Sequence, residues 1–199
     1  MRFNILICLA GITLLLCSCT SSKIQVLDTP RLSSDVSKIQ VTLVEDSPEF
    51  ENVSFAGGTS IREPVDIENL DDNIKNSISI NLLLCKNAFK TKLIEDLKRN
   101  GFFVISEEDS VANSDLKVEV NCRKAVFSIW AVQNVQTGNI ISKNFGGFRY
   151  ILLEIAFIDN SGKTSGKIQI GAEGNNEDLR HSADEVSDYI KKMTSEKRK

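Results

Sequence analysis

The first pattern along the chain is an apolar run. Residues 5–17 (ILICLAGITLLLC) carry no charge, and polar side chains take over at Ser18. A bilayer-spanning helix needs about 20 apolar residues, so this run is short for a permanent span. With Arg2 as a minimal positive start, it has the order of an export signal, expected over residues 1–18 and removed from the mature chain. Residues 20–35 (TSSKIQVLDTPRLSSD) are polar, contain Pro30 and keep no period, which predicts a flexible tether across 19–35. A coil of about 16 residues would reach about 22 Å.

Alternation begins at residues 37–44, where Ile39, Val41 and Leu43 interleave with Lys38, Gln40 and Thr42, as in a half-buried strand. Residues 45–69 are mixed and broken by Pro48, Gly57-Gly58 and Pro64. They predict a long excursion with little regular structure, in which Phe50 and Phe55 wrap the core. A helix starts between residues 71 and 79 and ends at Asn100-Gly101. Its stripe is Ile78, Leu82, Cys85, Phe89, Leu93 and Leu97. FFVI at 102–105 reads as a strand reached by a crossover connection.

The period returns to two at Leu116, Val118, Val120 and Cys122. After Ala125 it is lost, with Val126, Phe127, Ile129, Trp130 and Val132 putting apolar groups on both faces. Turns at 137–139 and 160–162 separate further strands at 148–158 and 167–170, which suggests an antiparallel meander. A last helix over 177–194 carries a narrow seam of Leu179, Ala183, Val186, Ile190 and Met193, with acids in its first turn and Asn175 or Asn176 as cap. The elements predict one α+β domain over 36–195: a two-layer sandwich in which two helices pack on one face of a mainly antiparallel sheet of about five strands. Residues 196–199 remain as a basic tail.

The end of the leading run narrows the picture. Leu16, Cys17, Ser18 and Cys19 resemble the bacterial lipobox, in which a Leu at −3 and a small residue at −1 precede an obligatory Cys. The resemblance implies cleavage between Ser18 and Cys19, a diacylglyceryl thioether on the Cys19 sulfur and acylation of the new amine. Serine cannot form that thioether. Two or three acyl chains make a stable anchor where one gives only marginal attachment. Thr20, where an Asp would retain the protein at the inner membrane, implies an outer-membrane lipoprotein facing the periplasm in a cell with two membranes. The order of elements is also similar to that of small periplasmic lipoproteins that assist envelope transport or assembly.

Charge and chemistry then exclude more than they add. Without residues 1–18 the chain holds 23 basic and 27 acidic side chains, a formal net charge of −4, interspersed along the sequence. That is not the footprint of a nucleic-acid binder. Of five cysteines only Cys85 and Cys122 lie in the body, a candidate disulfide in an oxidising compartment. The single histidine, His181, points away from the seam of its helix, and no zinc or cofactor spacing is present. Gly57-Gly58-Thr59-Ser60 lacks the Lys and spacing of a phosphate loop. Glu107, Glu108, Asp109, Asp71 and Asp72 read as solvated charges, and Glu154, which interrupts an apolar strand, as outward-facing or paired with a Lys. No residue is assigned a catalytic role. The expected function is a non-enzymatic binding or scaffold component of the envelope, held to the bilayer by Cys19, with Phe127, Trp130 and Tyr150 read either as core or as a candidate patch for a protein partner. The rival readings are a carrier of an apolar ligand, which needs a cavity between helices and sheet, and a carboxylate-based hydrolase, which needs a cleft with convergent acids.

Overall fold

The computed structural model describes residues 24–45, 47–56, 59–105 and 114–195. The expected signal at 1–18, the lipobox residues Leu16, Cys17, Ser18 and Cys19, and the basic tail lie outside the described residues, as do Glu107, Glu108 and Asp109. In chain order the elements are β1 (Gln25–Asp28), β2 (Lys38–Leu43), β3 (Glu49–Ala56), β4 (Thr59–Pro64), a 3-10 turn (Ile67–Asn69), α1 (Asp72–Arg99), β5 (Phe103–Ile105), β6 (Leu116–Gln133), β7 (Ile140–Asp159), β8 (Thr164–Glu173) and α2 (Asn176–Ser195). The fold is α+β.

The sheet has eight strands rather than about five, and it is mixed. Its main path runs β1-β8-β7-β6-β2-β5, while β3 joins β6 and carries β4. The meander β6-β7-β8 is antiparallel, but β2 runs parallel to both β5 and β6, and β3 runs parallel to β6. The extra strands come from segments that carry no alternation. Every residue of β1 and of β4 is exposed, so neither needs a buried face to hold its register. Residues 45–69 are therefore largely a hairpin, in which Glu51 pairs with Pro64 and Val53 with Arg62, and not an irregular excursion.

The expected tether is corrected in the same way. Gln25–Asp28 pairs antiparallel with β8, the Arg31 amide donates to the Ser165 carbonyl, and Leu32 and Val36 are buried in the core. Gly166 permits this close approach, because a Cβ there would lie 2.6 Å from the Pro30 nitrogen and 2.9 Å from the Asp28 carbonyl oxygen.

One face of the sheet carries the core. Ile39, Val41, Leu116, Val118, Val120, Ile155, Phe157, Ile168 and Ile170 meet Ile78, Phe89, Leu93 and Leu97 of α1 and Leu179, Val186 and Ile190 of α2 in one cluster. α1 ends as its sequence dictates. Gly101 takes φ +92°, its amide donates to the Lys98 carbonyl, and the Phe102 amide donates to that of Leu97, which closes the last turn. α2 is capped by Asn175, whose Oδ1 accepts the Asp178 amide at 2.9 Å. The opposite sheet face is polar: Arg123 Nη2 donates to Glu154 Oε1 at 2.9 Å, Lys167 lies 3.4 Å from the same oxygen, and Lys117 pairs with Glu119.

Candidate functional site

β6 and β7 outrun their neighbours. The last pair between β3 and β6 is Asn52 with Phe127, and the last between β8 and β7 is Glu173 with Tyr150. Beyond those pairs the two strands have no further strand partner among the described residues and run, Trp130 opposite Asn144 and Val132 opposite Ser142, to a turn at 134–139. The Ile129 amide donates to Asn52 Oδ1, and Ile129, Ala131 and Lys143 line a cleft with Leu70 and Ile74. Asn134 Oδ1 accepts the amides of Gln136 (2.8 Å) and Thr137 (3.2 Å), and Gly138 takes φ +70°. At about 3.3 Å per residue, residues 128–133 carry the arm about 20 Å beyond Phe127 to its turn. Trp130 is 61% and Val135 100% exposed, and Val132, Ile140 and Ile141 are exposed beside them. From residue 125 to residue 148 the only charge is Lys143.

The root of the arm is fixed by aromatic packing. Phe127, fully buried, lies 6.2 Å from Phe50, 6.0 Å from Phe145 and 6.5 Å from Phe148 between ring centres. Further out, the Trp130 indole covers Gly146, where a Cβ would collide with the indole Nε1 and lie 2.6 Å from Ser128 Oγ.

The expected patch of Phe127, Trp130 and Tyr150 is thus divided. Phe127 is core, Trp130 stands on the arm, and Tyr150 lies half-buried across Gly171 opposite Val126. The structure does not bring the three into one exposed surface. Val135, Ile140 and Ile141 were not legible as a set from periodicity, although the charge-free stretch 125–142 in a chain that is 26% charged was a usable signal. A second exposed apolar group, Ile80, Leu83 and Leu84, sits one helical turn apart on α1.

Titratable groups elsewhere are tied into the fold. Asp96, 2% exposed, receives Lys92 Nζ at 2.5 and 2.6 Å and Arg99 at 2.9 Å, and Lys92 also reaches Asp184 at 3.1 Å, which joins α1 to α2. Burial pushes the Asp96 carboxyl up against the pull of Lys92, and the neighbouring Asp184 adds to the rise. Burial acts on Asp184 in the same sense, but Asp96, Lys92 and Arg99 hold it below the ordinary carboxylate range. Burial likewise opposes ionisation of Glu154, and Arg123 and Lys167 overcome it, so that its pKa is lowered. His181 is exposed and lies 3.2 Å from Glu185. Asp72 pairs with Lys75 at the start of α1, and Asp71 is its N-cap residue.

Cys85 and Cys122 both enter the core cluster, and they are not bonded to each other. Burial pushes the Cys85 thiol up, while Cys122 Sγ donates to the Lys124 carbonyl at 3.6 Å. The space between helices and sheet that a carrier would need is filled by Phe89, Leu93, Val118 and Ile155, each fully buried. A cleft between Phe50 and Ile67 is rimmed by Glu49, Glu51, Asp66 and Glu68. Glu51 is held by Lys124 at 2.5 Å, Asp66 caps the 3-10 turn through the Glu68 amide, and Glu68 lies 3.8 Å from Lys75. Among the described residues no group of three metal-ligating side chains converges, and no helix is long and apolar enough to cross a membrane.

No protein-family model matches the chain, and no curated protein sequence matches it. Among solved structures it is similar to a PelC dodecamer from Paraburkholderia phytofirmans, at 10% identity and a TM-score of 0.39, over 87% of this chain and 97% of that one. A neuraminyllactose-binding hemagglutinin homolog from Helicobacter pylori is 12% identical at a TM-score of 0.37, over 85% of this chain and 91% of that one. A PDZ domain protein from Parabacteroides distasonis is 11% identical at 0.35, over 86% of this chain and 38% of that one.

Proposed function

We propose that this protein is a lipid-anchored, non-enzymatic binding component of the bacterial envelope, attached through Cys19 to the periplasmic side of the outer membrane, and that the β6–β7 arm is its binding element. The observation that carries the binding role is the arm itself. A two-stranded ribbon is marginally stable in water, and this one leaves Trp130, Val132, Ile140 and Ile141 exposed with a single charge to keep them soluble. Aromatic and aliphatic side chains gathered on a ribbon with two open edges suit contact with another surface better than with solvent. The location is supported by the lipobox resemblance at Leu16, Cys17, Ser18 and Cys19.

The two halves of this reading are tested together in cells. The Cys19→Ala chain is expected to leave the membrane fraction while the unchanged chain stays in it. An arm variant, Trp130→Ser with Ile140→Ser, is expected to remain in the membrane fraction and to lose the crosslinks that the unchanged arm makes. Attachment that survives Cys19→Ala contradicts the anchor, and crosslinks that survive the arm variant contradict the binding element.

A further inference from the structure

The direction of β1 bears on what the arm touches. β1 runs antiparallel to β8, with Gln25 opposite Gln169 and Asp28 opposite Lys167. The residues before Gln25 therefore join the sheet from the end at which β8 closes on Glu173 and the arm departs at Tyr150. Five residues lie between Cys19 and Gln25, which makes six residue-to-residue steps. Fully extended, they span about 20 Å. From the level of Gln169, which pairs with Glu154 opposite Asn121, to Gln133 at the arm's turn, the sheet and arm extend about 40 Å at 3.3 Å per residue. The anchoring chain is thus about half as long as the structure beside it. A domain tied to lipid at Cys19 cannot hold its arm clear of the lipid by standing off on this tether.

We infer that the arm lies in the headgroup layer of the bilayer that carries acylated Cys19, with Trp130, Val132 and one of the alternating pair Ile140 and Ile141 turned into lipid. This rests on the anchor proposed above and names the surface that the arm binds. The chemistry agrees at three points. Residues 125–148 contain no carboxylate, which would be repelled by anionic headgroups. Tryptophan is the side chain favoured where apolar and wet layers meet. The two open edges of the ribbon fix the depth, because unpaired amides and carbonyls are tolerated among hydrated headgroups but not in hydrocarbon. The polar turn, with Gln133, Asn134, Gln136 and Asn139, likewise belongs at the headgroups. A second copy of the chain could also cover the ribbon, but it would leave the short tether unexplained.

Trp130 is the only tryptophan in the chain, so emission excited at wavelengths that tyrosine does not absorb reports the arm alone. The full chain, purified from membranes, is reconstituted into vesicles of phosphatidylcholine and phosphatidylglycerol, with and without brominated acyl chains. The expected results are a shift of emission to shorter wavelength, loss of more than half of the emission in brominated vesicles, and a several-fold smaller loss in an Ile140→Ser, Ile141→Ser variant that still floats with the vesicles. Equal emission from plain and brominated vesicles, with the protein still floating, overturns the inference and leaves the anchor standing. Equal emission accompanied by crosslinks between copies overturns it in favour of self-association. A chain that does not float overturns the anchor and this inference with it.

Discussion

Asp115 shows how much order one exposed-edge carboxylate can impose. Its Oδ2 accepts the amides of Ser37 (2.9 Å) and Lys38 (2.8 Å) and the Ser37 hydroxyl (3.0 Å), and so ties the start of β6 to the start of β2. The Ser37 amide is the main cause of its lowered pKa, with Lys38 acting the same way and burial opposing both. A carboxylate held below its unfolded value of about 3.9 adds stability that is complete above that pH and lost as pH falls through the lower folded value. Asp115→Ala is therefore expected to cost about 1–3 kcal/mol at neutral pH, with a smaller cost in strong acid. Urea unfolding of both chains at the two pH values measures this, and a cost that does not change with pH contradicts the role given to the charge. Other single residues were legible beforehand. An isolated acid in an apolar strand reads as outward-facing or paired with a Lys, and Glu154 is held by Arg123 as well as Lys167. A histidine opposite a helix seam had to be solvated, and His181 is. For Phe127 the sequence left core and partner patch both open, and its burial against Phe50, from a segment that has no period of its own, makes it core.

At the scale of elements, legibility follows the presence of a buried face. α1, α2, β2 and the first half of β6 each alternate apolar with polar positions around one buried face, and their periods announced them, although Gln40 on the polar face of β2 is buried as well. β1 and β4 bury no face, so nothing in their sequences distinguished them from coil. β6 lost its alternation for a different reason: register shifts between Cys122 and Lys124 and again around Phe127 change which face each residue meets, so one strand reads as two conflicting patterns. The docking of β1 is the element-level result most open to test. A methyl group at Gly166 would meet the backbone of Asp28 and Pro30, which cannot give as a flexible side chain can. Gly166→Ala is expected to destabilise the protein by about 1–3 kcal/mol and to speed hydrogen exchange of the Arg31 amide, which donates to Ser165. Unchanged protection at Arg31 would mean that the segment docks without needing the space at Gly166.

At the scale of the whole molecule, the two faces of the sheet and the arm divide the work. The helices seal one face, ion pairs keep the other soluble, and the apolar side chains left over are concentrated on the β6–β7 ribbon, with a smaller group on α1. The sequence pointed to the anchor and to an apolar surface around Trp130. The length of the ribbon, and the entry of the chain into the sheet at the ribbon's end, depend on pairing between distant strands that no local pattern encodes. The lipid proposed at Cys19 would set the compartment, the orientation and the surface within reach of the arm. Mass spectrometry of the intact mature chain tests it most directly. The expected product begins at Cys19 and carries the added mass of a diacylglyceryl group and an amide-linked acyl chain. A product that begins elsewhere, or that begins at Cys19 with a bare thiol and amine, contradicts it.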